Sequence, residues 1–183
     1  VNQSVDAVWF DPVDGGTQKN DFARCFFDGF RSAIHNECSG NMSIEDCYFQ
    51  RTWRKSLTIA GGTDSGGNPV NVSENYVRRC RFSLNDSGTQ GEPQIDVMSG
   101  GALRMWWCDI TGGLHNLRVQ ENIAGTIPAN VWCDNVIFGG LTTNDGLRLG
   151  SGVQNANFRD CVIEAAGRSG VLLANGPQFI DFD

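Results

Sequence analysis

The sequence predicts an all-β solenoid in which short parallel strands stack turn upon turn, and three observations carry that expectation. The pattern apolar-x-x-Cys-x-apolar recurs five times, and once more with Asn for Cys, at intervals of about 22 to 33 residues that belong to repeat architectures. Apolar-x-apolar triplets follow the copies, which is the alternation of a strand with one buried face. Gly, Asn and Ser cluster between these segments, as turns require, while no window of about 12 residues holds a helical period.

The copies run Phe22, Cys25, Phe27; then Ile44, Cys47, Phe49; then Val77, Cys80, Phe82; then Met105, Cys108, Ile110; and finally Phe158, Cys161, Ile163. A sixth, with asparagine in place of cysteine, reads Trp132, Asn135, Ile137 where the period requires a copy. Within each copy a step of three precedes a step of two. Strand side chains alternate faces, so three inward residues at that spacing require a bend between the first and the second. The bend is expected around Asp46, Arg79, Trp107, Asp134 and Asp160. The triplets are Leu57-Thr58-Ile59, Ile95-Asp96-Val97, Leu117-Arg118-Val119, Leu147-Arg148-Leu149 and Val171-Leu172-Leu173, with turns marked by pairs such as Gly61-Gly62, Gly112-Gly113 and Asn175-Gly176. Stacked strands repeat every ~4.8 Å, so Cys25, Cys47, Cys80, Cys108, Asn135 and Cys161 are expected to form one inward ladder.

Residues 1–183 therefore read as one stack of six to seven turns, with rungs near 22–27, 44–49, 77–82, 105–110, 132–137 and 158–163. A partial rung follows at 180–183, where Ile180 and Asp183 open a further copy with the carboxylate in the ladder position. At the other end, Ala7-Val8-Trp9-Phe10 reads as the latter part of an earlier turn. An uncapped parallel edge invites association, so the stack is expected to be an internal segment of a longer chain or to have its ends covered by other chains.

Composition narrows the partners. The chain has 183 residues and a formal charge of −7, from 21 Asp and Glu against 14 Lys and Arg, which disfavours attraction to a nucleic-acid backbone. Apolar residues at 40% support a core, and 23 glycines suit turns rather than a coiled coil. No apolar run approaches the roughly 18 residues of a membrane helix, and Val1-Asn2-Gln3-Ser4 lacks the basic and apolar regions of a signal peptide. Neither nucleic acid nor membrane is an expected partner. Most of the seven cysteines are explained by packing, because a thiol is small and readily buried. No CxxC or Cys/His spacing of a zinc site is present, and no metal or other cofactor is expected. An unbridged ladder suits a reducing compartment. Cys38 and Cys133 fall off the ladder, Cys133 at an outward position, and these are the expected reactive thiols. The Asn-x-Ser sequons at Asn2, Asn41, Asn71 and Asn85 lie where such turns use Asn and Ser in any case.

The series from Phe22-x-x-Cys25 to Phe158-x-x-Cys161, with its Gly and Asn turns, resembles the right-handed single-stranded parallel β-helix of the pectate-lyase-like family over nearly the full chain. That family includes polysaccharide lyases and hydrolases and the tailspike and appendage proteins of bacteriophages. The handedness agrees with the rule for parallel crossover connections. The resemblance implies two functions. One is the β-helical body of a phage spike or fibre: a homotrimer that contacts other virion proteins or a host-surface polysaccharide, assembled in the host cytoplasm and located in the virion. The other is a secreted polysaccharide lyase or glycoside hydrolase.

Thr58, Asp96, Arg118, Arg148 and Leu172 are the outward residues of the triplets. Asp96, Arg118 and Arg148 are expected on consecutive turns, where a guanidinium pairs bidentately with a uronate carboxylate. Lyases of this fold resemble this in using a basic residue beside acidic metal ligands. The competing reading is a surface ion pair worth under about 1 kcal/mol. A glycosidase needs two carboxylates roughly 5–9.5 Å apart, and only Asp96 lies in this lane, with Asp64, Asp86, Glu92, Glu121 and Asp145 in loops beside it. No three-aspartate calcium cluster and no GxSxG or Ser/His/Asp order is present, and His35 and His115 fall in different turns. Trp53, Trp106 and Trp107 fall at outward or corner positions, where indoles serve as sugar platforms or interface anchors. Trp106-Trp107 reads as a subunit contact, while Trp132 reads as core. The loops 83–94 and 121–129 are the longest excursions beside the strands and the expected recognition elements.

Overall fold

The computed structural model describes residues 5–10, 19–37, 41–61, 66, 74–83, 91–98, 102–120, 129–140, 142, 144–164 and 166–183. Cys38, Asp64, Asp86, Glu121 and most of the loops 83–94 and 121–129 lie outside the described residues. The structure is an all-β solenoid built from three sheets whose neighbouring strands run parallel. The first sheet joins β1 (Val8–Phe10), β4 (Ile34–Asn36), β7 (Leu57–Ile59), β10 (Ile95–Val97), β13 (Leu117–Val119), β16 (Asp145–Leu149) and β19 (Ser169–Leu173). The second joins β2 (Asn20–Ala23), β5 (Met42–Glu45), β8 (Asn75–Arg78), β11 (Ala102–Trp106), β14 (Ala129–Asp134), β17 (Val153–Arg159) and β20 (Ile180–Phe182). The third joins β3 (Phe26–Asp28), β6 (Tyr48–Gln50), β9 (Arg81–Ser83), β12 (Asp109–Ile110), β15 (Ile137–Phe138) and β18 (Val162–Ile163). No helix among the described residues is long and apolar enough to cross a membrane.

Each strand is two to seven residues long, too short to bury a face alone, so stability comes from stacking equivalent side chains. Ile44, Val77 and Met105 form one fully buried inward row of the second sheet, and Leu57, Ile95, Leu117 and Leu147 form one in the first. In the third sheet the rings of Phe27, Phe49 and Phe82 stack at 4.8 and 4.6 Å, nearly parallel. Each such side chain contributes about 1.5–3 kcal/mol by burial.

The corner inside the repeat is a left-handed residue. Arg24, Asp46, Arg79, Trp107, Asn135 and Asp160 all have φ between 48° and 55°, one per turn at the same place. Their N–H groups still donate to the next strand's carbonyls, for example Asp46 to Arg78 at 3.0 Å, so the ladder continues around the bend. A positive φ turns the following side chain inward, which is how a step of three keeps one face. The following residue is Cys25, Cys47, Cys80, Cys108 or Cys161, and its Sγ–H donates to the carbonyl two residues back, at 3.1 Å for Cys80 and 3.3 Å for Cys47, Cys108 and Cys161.

The copy near residue 132 is displaced by one position from the sequence expectation. Met105 pairs with Cys133, and Cys133 with Phe158, so the copy reads Cys133, Val136, Phe138. Val136, fully buried, takes the ladder position, and Asn135 takes the exposed corner expected of Asp134. The physical reason is that asparagine tolerates φ > 0 far better than the β-branched valine. Two further corrections follow. Cys133 points inward and is only 1% exposed, and Trp132 and Ile137 face outward instead of packing in the core. Asp183 is likewise out of the ladder: Phe182 pairs with Phe158 and stacks on it at 5.0 Å, leaving Asp183 one position further on and exposed.

The contact with Cys108 and burial push the Cys80 thiol up to about 12, burial pushes Cys133 well above its ordinary value, and Cys108 is only 2% exposed. Thiolate is the reactive form. Treating the folded protein with iodoacetamide at pH 8 is expected to leave Cys80, Cys108 and Cys133 unmodified, with all three alkylated after denaturation. Native-state alkylation of Cys133, read by peptide mass, would contradict its inward placement.

Candidate functional site

The first sheet carries an outward row in register: Trp9, His35, Thr58, Asp96, Arg118, Arg148 and Leu172. Asp96, Arg118 and Arg148 do occupy consecutive strands. Asp96, however, is fully buried. Arg118 binds it with two parallel bonds, Nε to Oδ1 at 2.9 Å and Nη2 to Oδ2 at 2.8 Å. Lys55 Nζ and Gln120 Nε2 also donate to Oδ2, at 2.5 and 3.0 Å. Glu92 completes the cluster, 3.5 Å from Lys55 Nζ and 3.6 Å from Arg118 Nη2.

Desolvation pushes the Asp96 carboxyl up, but the bonds and charges of Arg118 and Lys55 outweigh it and hold the group below its ordinary value. One bond to Oδ1 and three to Oδ2 favour the charged form, so Asp96 stays ionised and is tied into the fold. The surface ion pair expected from the sequence is therefore a buried, multiply bonded cluster that ties together three turns. Glu92 does lean over the row. Asp145 lies in β16 rather than in a loop, fully buried, with Arg168 on both of its oxygens at 2.9 and 2.6 Å.

His115 packs beside Asp145, its Nδ1 3.2 Å from the Asp145 carbonyl oxygen, and its Nε2 is buried with no hydrogen-bond partner. Burial lowers the His115 pKa more than Asp145 raises it. An imidazole with a folded pKa below its unfolded value binds its proton more readily when unfolded, so stability is present above about pH 6.5 and is lost as pH falls below it. The melting temperature is expected to drop between pH 7 and pH 5, and His115→Gln to flatten that slope. An unchanged slope in His115→Gln would contradict this assignment.

A groove lies on the outer face of the second sheet. Its cavity of about 330 Å³ is lined by Arg104, Trp106, Trp132, Cys133, Asp134, Asn157 and Arg159. Two adjacent rows build it: Tyr76, Arg104, Trp132 and Asn157 in one, and Arg78, Trp106, Asp134 and Arg159 in the other. The Arg104 guanidinium lies 4.7 Å over the Trp132 ring and 6.0 Å from that of Tyr76, and Arg78 lies 4.9 Å over Trp106. Cation–π contact stabilises this alternation of guanidiniums and aromatic rings along the face. Arg104 Nη2 pairs with Glu74 at 2.8 Å, while its Nε is buried and unpartnered. Arg159 pairs with Asp134, and this bond holds the Asp134 carboxyl below its ordinary range.

Of the tryptophans singled out in the sequence, only Trp106 lines this groove. Trp107 is the corner residue, φ 52° and 59% exposed, and Trp53 is half-buried where its N–H donates to the Phe30 carbonyl at 2.9 Å. The alternation in Leu103-Arg104-Met105-Trp106 places Arg104 beside Trp106. Trp132 mimics an inward residue in the sequence, because Trp132, Asn135 and Ile137 match the repeat spacing one position out of the true register. Among the described residues, no three His, Cys, Asp or Glu side chains are grouped to hold a metal ion. Comparison with protein-family models, curated proteins and solved structures gives no match for this chain.

Proposed function

We propose that this chain forms the β-helical body of a virion appendage of the tailspike or fibre type and binds a host-surface glycan along the outer face of the second sheet. The groove between Arg104, Trp106, Trp132, Asp134, Asn157 and Arg159 carries this reading. It combines apolar indole edges with guanidinium and amide donors and a carboxylate acceptor, the mixture a hydroxyl-rich ring uses. The parallel stack and the resemblance of its repeats to phage appendages support the structural role, and the full burial of Asp96 among Arg118, Lys55 and Gln120 favours binding over catalysis.

Titration with a panel of purified bacterial surface polysaccharides tests it. Trp132→Ala is expected to lower affinity at least about tenfold with an unchanged far-UV circular dichroism spectrum, and no reducing or unsaturated ends should accumulate. Undiminished affinity in Trp132→Ala would count against the groove. A polysaccharide lyase is the second reading, favoured by the in-register row of Asp96, Arg118 and Arg148 with Lys55 and Glu92 beside it. Unsaturated ends that disappear in Arg148→Ala would establish it in place of the first.

A further inference from the structure

The outer face of the third sheet carries a row that is complementary to its own reversal. In strand order it reads Phe26, Tyr48, Arg81, Asp109, Ile137, Val162, each in register with the next. Aromatic residues stand at one end, aliphatic residues at the other, and opposite charges meet in the middle. Phe26, Ile137 and Val162 are 58%, 42% and 48% exposed, so the face leaves apolar surface in water that the fold does not use. The central pair is loose: Arg81 Nε stands 3.4 Å from Asp109, with 62% of the Arg81 side chain exposed, which leaves guanidinium donors for a second carboxylate.

We propose that this face joins two copies of the chain, packed antiparallel about a two-fold axis that crosses the row between Arg81 and Asp109. A two-fold brings residue i against j and j against i. Reversal places Phe26 opposite Val162, Tyr48 opposite Ile137, and Arg81 opposite Asp109 twice over. A parallel pairing of the same faces sets Arg81 against Arg81 and Asp109 against Asp109, which repel. The neighbouring row brings Asp28 toward Glu164, and Arg51, already paired with Asp28, lies there to offset the like charges. Six strands at ~4.8 Å make a patch roughly 24 Å tall, small for a permanent interface, so the dimer is reversible. This contact stands independently of the glycan groove, which lies on another sheet.

Sedimentation velocity of the 183-residue chain over a wide concentration range reads the contact. A monomer–dimer equilibrium is expected in place of the homotrimer that the resemblance to phage spikes implies, and a threefold mass, or a monomer at every concentration, overturns the proposal. Arg81→Asp and Asp109→Arg should each raise the dissociation constant at least about tenfold. Mixing the two variants should restore the dimer, because every acid then meets an arginine. Ile137→Lys, at an exposed site, should weaken the dimer without altering the melting temperature. A dimer indifferent to Arg81→Asp and Ile137→Lys, or no recovery on mixing, would place the contact elsewhere.

Discussion

Asp96→Ala is expected to destabilise the fold by about 3–5 kcal/mol, because removing one partner of a buried ion pair strands the others. Lys55 and Arg118 have only 15% and 21% of their side chains exposed, and both lose the carboxylate that compensates their desolvation. Gln120 loses its acceptor as well. Lys55 belongs to the turn before Asp96, and Arg118 and Gln120 to the turn after it, so the loss loosens the first sheet rather than one strand. Asp96→Asn should cost less, since it keeps an acceptor oxygen while removing the charge. The double change Asp96→Leu with Arg118→Met should recover much of the loss, as apolar replacement of buried ion pairs commonly does. Urea denaturation measures all three. If Asp96→Ala instead left stability unchanged and removed a polysaccharide-cleaving activity, Asp96 would be a catalytic residue and not a structural one.

Phe82→Ala should have a comparable effect, about 3–5 kcal/mol. Phe82 is fully buried, continues the ring stack from Phe27 through Phe49, and lies in register with Ile110 on the next strand. A solenoid has no second layer to close over a deleted ring, because each turn touches only its neighbours. The cavity therefore persists and weakens the stacking on both sides. Arg78→Ala, an exposed control on the neighbouring sheet that loses only its contact with the Trp106 ring, should change stability by less than about 1 kcal/mol. Equal losses in the two variants would contradict the inward row.

Much of this architecture could be read in the residues. The Phe22, Cys25, Phe27 pattern and its successors locate strand, corner and strand, and Leu57-Thr58-Ile59 with the four later triplets locates most of the first sheet, because single-faced burial leaves a periodic trace. The trace fails where bulk and polarity mislead. Trp132 and Ile137 are apolar at the pattern's spacing, so they mimic an inward pair, and only the preference of Asn135 for a left-handed corner betrays the true register. Ile34-His35-Asn36 escapes because its second inward residue is polar. Asn36 is buried by a hydrogen bond to Asn75 at 3.0 Å, a partner 39 positions away. Asp96 was legible as outward but not as buried. Lys55, Glu92 and Gln120 cover it, and their convergence depends on how successive turns stack rather than on alternation along one strand. The groove was half legible for the same reason: Arg104 and Trp106 share a strand, while Trp132, Asn157 and Arg159 reach it from the next two.

Intrinsic tryptophan fluorescence during polysaccharide titration separates the proposed recognition by the second sheet from recognition by the Asp96 row. Trp106 and Trp132 both line the groove, so ligand entry should change the emission. Arg104→Ala is expected to weaken the titration at least about tenfold, while Arg148→Ala, on the outer row of the first sheet, leaves it unchanged. Binding that survives Arg104→Ala and is lost in Arg148→Ala would contradict the account.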